Sequence, residues 1–455
     1  MHLKGVDTLE KYLKLIDKHK KLIVDAFNYI WANPETGYKE WKTHAYLKDL
    51  FLSLGYTLTE ADNIPGFYTE IDTGRAGPTL GIFAEMDALI VPTHPAADKE
   101  TGAVHACGHC AQTAALVGLA AALKEPGVLD DLSGKIRLIV VPAEEGVELE
   151  FRRSLMEKGI IQSRSGKREF LCRGMLDGVD LSFMMHTKID DKNTAYLNGG
   201  SNGLIAKIIN FEGFSAHAAS PGKGINALYA AHTALAAINS LRETFYDKDH
   251  IRVHPIISAG GSSVNAIPDT VKMESYVRGA TLDAILNANR KVNRAIAASA
   301  AAIGAKVKII DLAGSWPRWN DRNMIRSFCE AMEAVVDKTV CKTEDWNSGC
   351  SDMGDMASIM PTIHGYIGGA EGTDHGSNYL ITDPETTCVK AAQIELLAAI
   401  KLLKNDAKEA NKAVAEYDPY FKSKEEYIAF QNKINKTYDA VKYLENGDVL
   451  LEIGE

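Results

Sequence analysis

The sequence predicts an α/β protein: an α/β/α domain on a mixed, partly parallel sheet, interrupted by a ferredoxin-like α+β domain. Three observations carry this. Short apolar runs such as "TLGIFAEMDALI" and "KIRLIVVPAEEG" alternate with helical stretches such as "CAQTAALVGLAAALK", the strand–helix–strand order of a parallel sheet. Both runs end in acidic loops, and open α/β sheets place ligands beyond the carboxyl ends of their strands. From about Leu204 to Leu312 the order changes to strand, helix, strand, strand, helix, strand, a βαββαβ unit.

The elements follow in chain order. Apolar residues recur at helical spacing from Leu9 to Ile30 and from Tyr46 to Leu54, predicting helices there. "NPETGY" breaks the first with Pro34 and Gly37. After the two apolar strands and the helix between them, "VDLSFMMHT" reads as a further strand ending near His186. The inserted unit comprises strand Leu204–Phe211, helix Ala227–Leu241, strands Val253–Ser258 and Thr270–Arg278, helix Leu282–Ile303 and strand Lys306–Ile310. "NGGSNG" and "LAGSWP" frame it as hinges. α/β character resumes with "NMIRSFCEAMEAVV" and a helix from Thr387 to Leu403. The expected division is therefore 1–202, an insertion over 203–313, a return over 314–404, and a helical tail over 405–455. In that tail Tyr427, Phe430, Ile434 and Tyr438 fall at helical spacing, as in a docked amphipathic helix.

A charged excursion, "VELEFRRSLMEKGIIQSRSGKREF", follows Glu145 where a short loop would suffice. Its Arg152, Arg153, Lys158, Arg164, Lys167 and Arg168 fit two readings: a solvated helical hairpin, or a loop passing the mouth of a pocket.

Composition narrows the function. A net charge of −10 over 455 residues argues against non-specific nucleic-acid binding. No apolar run approaches the roughly 18–20 residues of a membrane helix, and the charged first twenty residues lack a signal-peptide core. Seven cysteines without framework spacing suit free thiols in a reducing compartment. The expectation is a soluble, cytoplasmic protein that binds neither nucleic acid nor membrane.

The stretch "AVHACGHCAQTAAL" gathers His105, Cys107, His109 and Cys110 ahead of a helix. A structural zinc site needs four closed ligands, usually with a second paired cluster, and no second C-x-x-C exists. Cys107 and Cys110 do have the spacing of a redox pair, so that reading stays open. "PAEEG" places Glu144 and Glu145 side by side at a strand end, where one can bind metal while the other faces substrate. His186 ends a strand and His375 lies in the Gly-rich "GGAEGTDHGSNY". Thiolate and imidazole suit zinc or another first-row divalent ion. Five such ligands exceed what one open catalytic metal uses, and suit a two-metal site.

With these residues the chain resembles the two-metal amidohydrolases that include aminoacylases, carboxypeptidase G and the indole-acetyl-amino-acid hydrolases. "NPETGYKE", "AEMDAL", "HACGH", "PAEEG", "GFSAHAASPGKGINAL", "NAIPD" and "GTDHGS" match in order, up to about Leu403. "IWANPETGYKE" and "GCSDMGD" bring it closest to the branch with Cys among its ligands, especially the aminobenzoyl-glutamate hydrolase subunits. The resemblance implies metal ligands at Cys107, His109, Glu145, His186 and His375, with Glu144 as general base. It implies that Asp87 supports the metal site without being a ligand. His217 would reach into the partner subunit's site, and Asn265 and Arg278 would hold the substrate carboxylate. Two divalent ions per subunit, zinc or manganese, are implied, as is a homodimer joined through a dimerisation and lid domain over 203–313. The implied substrate is an N-acyl amino acid, with an aryl-acyl group among the candidates, or a dipeptide. Cys110 stands where relatives commonly have Asp or Asn. Two rival readings remain: a metal- or ligand-binding subunit of the same fold without turnover, and a thiol-redox protein using Cys107 and Cys110.

Overall fold

The computed structural model describes residues 3–454, which form two compact units. The first takes the chain up to residue 199, then 319–345 and 355–420; the second takes 200–318, 346–354 and 421 onward.

The heart of the first unit is a run of four parallel strands in the spatial order Lys135–Val141, Thr79–Glu85, Leu181–Ile189, Thr362–Glu371. Phe67–Asp72 adds an antiparallel strand beside Lys135–Val141, with Thr59–Glu60 beyond it. The central strand Thr79–Glu85 is buried at every position, which explains its unbroken apolar spelling. Because the four strands are parallel, their carboxyl ends share one edge of the sheet. "AEMDAL", "PAEEG", His186 and "GTDHGS" therefore meet there.

Helix His109–Leu123 is buried all round, so its Ala-rich sequence carries no polar face. It packs against Thr79–Glu85 and against helices Lys20–Ala32 and Pro384–Glu416. The single helical pattern expected from Leu9 to Ile30 is two helices, Leu3–Asp17 and Lys20–Ala32. Helix Pro384–Glu416 leaves helical geometry at Lys404–Ala407, just past the expected end at Leu403. The free-thiol expectation fails at one pair. Cys329, on helix Arg322–Glu333, is bonded to Cys341 on strand Lys338–Asn347, while the other five cysteines are thiols.

The second unit is an antiparallel sheet in the order Arg252–Val253, Thr270–Gly279, Gly203–Glu212, Lys306–Ala313. Helices Ala227–Ser240 and Leu282–Ile303 pack together and onto it. The strand expected over Val253–Ser258 is split into Arg252–Val253 and Ile256–Ala259, both paired with Thr270–Gly279.

The tail departs from its helical expectation. Helix Lys424–Ile434 ends early, and Lys436–Asp439 pairs antiparallel with Lys306–Ala313. Tyr438 thus lies on a strand rather than on the fourth turn of a helix. The open edge of Lys306–Ala313 offers unpaired backbone groups, and strand addition satisfies them. The helix is anchored by Phe430, whose ring meets that of buried Trp316 edge-on at 5.4 Å. Residues 346–354, expected with the first domain, belong to the second unit. Trp346 Nε1 donates to Asn202 Oδ1 at 2.8 Å, and Asn202 N to Asn347 O at 3.0 Å.

Candidate active site

Three loops and one strand deliver the site. Cys107 is half-buried just before helix His109–Leu123, and His109 is the first residue of that helix. Glu144 and Glu145 follow strand Lys135–Val141, His186 lies on Leu181–Ile189, and His375 follows Thr362–Glu371.

Donor atoms of Cys107, His109 and His186 all lie within 4.8 Å of one another. So do those of Cys107, Glu145 and His375, and those of His109, Glu144 and Glu145. The five residues read as ligands thus form two triads that share Cys107, with Glu144 beside them. Both inner histidines are oriented by carbonyl oxygens: His109 Nδ1 lies 2.8 Å from Asp87 O, and His186 Nδ1 lies 2.8 Å from Thr187 O. That leaves Nε2 of each ring for the cluster, the usual arrangement of a ligating histidine. His375 is the outer member, half exposed, with Nε2 3.5 Å from Glu145 Oε1.

Asp87 is fully buried and links two of these residues. Its Oδ2 accepts from Glu145 N at 2.8 Å, and its Oδ1 lies 3.2 Å from His109 Nδ1. Burial opposes its charge, but His109, and after it Arg152, holds the carboxyl down at about 2. His186 is pushed down to about 4, first by burial and then by His109, so its imidazole is neutral, as metal binding requires. Burial opposes protonation of His109, yet Cys107, Glu85 and Asp87 carry it well above the usual histidine range.

The loop that carries the two glutamates is gripped from three sides. Ala143, just before Glu144, has φ of 56°, a left-handed conformation that costs an alanine on the order of 1 kcal/mol. Its N–H donates to Glu40 Oε1 at 2.7 Å. Its carbonyl accepts from Gly166 N at 3.2 Å and from Arg152 Nη1 at 3.4 Å.

Residues 81–400 match the peptidase family M20/M25/M40. The chain is 30% identical over 432 residues, 90% of its own length and 92% of the relative's, to the N-acetyl-L-cysteine deacetylase of Bacillus subtilis (strain 168). The chain belongs to the peptidase family M20/M25/M40. It is accordingly a hydrolase of the amidohydrolase and peptidase kind, as the ordered motifs led us to expect. The indole-3-acetyl-aspartic acid hydrolase of Enterobacter agglomerans is 30% identical over 257 residues, 54% of each chain. A dinuclear metal-binding M20 peptidase of Bacillus subtilis shares the fold, with a TM-score of 0.64 and 22% identity over 85% of this chain and 99% of that one.

In this M20 chain His217, Asn265 and Arg278 lie on the second unit. His217 is exposed and its Nδ1 accepts from Ala219 N at 3.0 Å, which leaves Nε2 facing outward. Asn265 sits on the adjoining loop, where its carbonyl accepts from Ala218 N at 2.9 Å. Arg278 lies over the Tyr276 ring at 4.1 Å and donates to Ser348 O at 3.4 Å.

The excursion overturns one of its two expectations. Arg152, Arg164, Lys167 and Arg168 are buried, so a solvated hairpin does not describe it, although Arg153 and Lys158 are not buried. Lys167 Nζ binds Glu85 Oε1, and Glu85 Oε2 lies 3.2 Å from His109 Nε2. Arg168 Nε is 3.6 Å from Asp355. Charges in such a run are read as solvated because their partners are remote; Glu85 is 82 positions from Lys167. Glu85 itself left one signal, an acid closing the wholly apolar strand "TLGIFAE". The redox reading loses its second thiol. Cys110 is buried inside the helix core, and burial pushes it up to about 12, whereas reactive thiols need the opposite shift.

Proposed function

We propose that the protein hydrolyses the amide bond of an N-acyl amino acid or dipeptide, with Glu144 as general base beside a pair of divalent ions, zinc or manganese. The observation that carries this reading is the pair of triads sharing Cys107. Two atoms at its centre, His109 Nε2 and Glu145 Oε1, are buried without a hydrogen-bond partner among the described residues. Buried polar atoms are seldom left so, and metal is what thiolate, imidazole and carboxylate in this arrangement accommodate. Cys107, His109 and His186 would hold one ion, and Glu145 and His375, again with Cys107, the other. Bound there, such ions lower the pKa of a water to roughly 7 and polarise a carbonyl.

The chain's own groups then do the proton work. Glu144 takes a proton as the water oxygen bonds to the amide carbon. It returns that proton to the nitrogen as the C–N bond breaks, giving a carboxylic acid and an amine; the acid's proton then passes to the amine, leaving carboxylate and ammonium. Positioned transfer of this kind is worth roughly 10²–10⁴-fold. His217, whose Nε2 faces outward, would stabilise the oxyanion from a partner subunit, and Asn265 and Arg278 would hold the substrate carboxylate. Phe214, Tyr229 and Ile256 are more than half exposed on the second unit, and the Ile256–Ala259 strand is exposed throughout; a second copy covering them supports a homodimer. A monomer mass in solution would remove that part of the reading.

Two of the relatives are named for releasing acyl groups from amino acids, which favours this substrate class over longer peptides. The test is to incubate metal-loaded protein with a panel of N-acetyl, aryl-acyl and indole-acetyl amino acids and dipeptides, and to measure released amine. We expect release that a chelator abolishes and added zinc or manganese restores. Absence of release across the panel by metal-replete protein would overturn the reading and leave the binding-subunit alternative.

A further inference from the structure

The charged excursion after Glu145 is not a surface ornament: its first cation is buried beside the residue that precedes Glu144. Arg152 is 1% exposed. Its Nη1 donates to Arg164 O at 2.6 Å and to Ala143 O at 3.4 Å. Ala143 is the left-handed residue directly before Glu144, and an alanine keeps that conformation only where its surroundings hold it. Both of its polar groups are held: the N–H by Glu40, the carbonyl by Gly166 N and Arg152. Two distant segments therefore close on one residue. The "NPETGYKE" stretch is pinned to the excursion as well: Tyr38 OH donates to Ser163 O at 2.7 Å, and Thr36 and Lys39 bind Glu148, each at 2.6 Å. The next backbone link, Glu145 N to Asp87 Oδ2, fixes the metal-facing glutamate separately. In the chain Glu144 lies between the two grips.

We propose that Arg152 is a positioning residue for Glu144, setting the direction of the base by holding Ala143 in its left-handed conformation. The proposal rests on the reading of Glu144 as general base. A single terminal nitrogen, Nη1, reaches both carbonyl oxygens, while Nε and Nη2 have no hydrogen-bond partner among the described residues; a lysine ammonium lies one bond closer to the backbone and falls short of that position. The effect should fall on the step in which Glu144 acts. Binding of metal and substrate, governed by other residues, should be spared.

The test compares Arg152→Lys and Arg152→Met with the parent, each in the Glu144 enzyme and in a Glu144→Gln background, using metal-loaded full-length protein. We expect Arg152→Lys to keep its metal content and a KM within about twofold, while kcat falls between about 10- and 100-fold, the scale of a misplaced catalytic group. In the Glu144→Gln background, read by single turnover at high enzyme concentration, the same change should cost nothing further. If Arg152→Met does not fold, Arg152→Lys alone carries the test. Three results would overturn the proposal: Arg152→Lys with parental kcat, which makes the residue a charge balance for Glu40 and Asp87; loss of metal, which places its effect at Glu145; or an equal loss in both backgrounds, the mark of a merely structural role. Failure of the functional reading looks different, since then the parent releases no amine or Glu144→Gln keeps its activity.

Discussion

Each unit buries a lysine against a carboxylate, and the two burials differ in completeness. In the second unit Lys207 binds Asp311 Oδ1 and lies 2.5 Å from Asn293 Oδ1, while Asp311 Oδ2 accepts from Asn289 at 2.7 Å and Asn293 at 3.1 Å. Every oxygen of that carboxylate is answered. In the first unit Lys167 answers one oxygen of Glu85. Apart from three ion-pair approaches, of His109 to Glu85 and Asp87 and of His375 to Glu145, the atoms Glu85 Oε2, Asp87 Oδ1, His109 Nε2 and Glu145 Oε1 have no hydrogen-bond partner among the described residues. The difference separates a network built to hold a sheet and helix together from one left open for a ligand. Satisfied buried groups specify a fold; converging unsatisfied ones mark where chemistry enters.

The comparison breaks most visibly at Glu144. Glu144→Gln should lower turnover by roughly 10²–10⁴-fold while metal content, measured by elemental analysis, stays at the parental level, because the open cluster keeps all five of its ligands. An active Glu144→Gln enzyme would take the base out of the cluster.

The closed network should fail in the opposite way. Lys207→Met leaves Asp311 buried without its cation, which costs about 3–5 kcal/mol when one partner of a buried pair is removed. Chemical denaturation should show that loss, whereas metal content and turnover of the folded fraction should not move. A change in metal affinity would mean that the two networks are not separate.

A third buried carboxylate sharpens the contrast by having neither a network nor a ligand to serve. Both oxygens of Glu395, on helix Pro384–Glu416, are buried without a partner among the described residues, and burial pushes the group well above the usual carboxylate range. The folded protein therefore holds this proton at pH values where the unfolded chain, titrating at about 4.3, has released it. Its contribution to stability is full below that value and declines as pH rises towards the folded-state pKa. Glu395→Gln should remove that decline and raise Tm at pH 8 by a small amount, on the order of 2 °C. Parallel stability-against-pH curves for the two proteins would show that Glu395 titrates alike in the folded and unfolded chain, and so is not raised by burial.

Much of this was legible in the chain alone. The length of an apolar run and the residues that bound it are local properties, so the parallel strands, the buried Ala-rich helix and the βαββαβ order could be written down from "TLGIFAE", "CAQTAALVGLAAAL" and the run from Leu204 to Leu312. The ligand candidates were legible too, since Cys107, His109, Glu145, His186 and His375 fall at strand ends or loops, and parallel strands carry such ends to one edge. Other features needed the folded molecule, for one physical reason: they depend on partners far away in sequence. Arg152 and Lys167 read as solvated charges until Ala143, Glu40 and Glu85 close around them. Cys329 and Cys341 read as free thiols until helix and strand meet. Tyr438 reads as the fourth turn of a helix until the open edge of Lys306–Ala313 offers it a strand to join. Local pattern determines which elements form, while the burial of charge and the pairing of edges are decided only when distant segments compete for the same space.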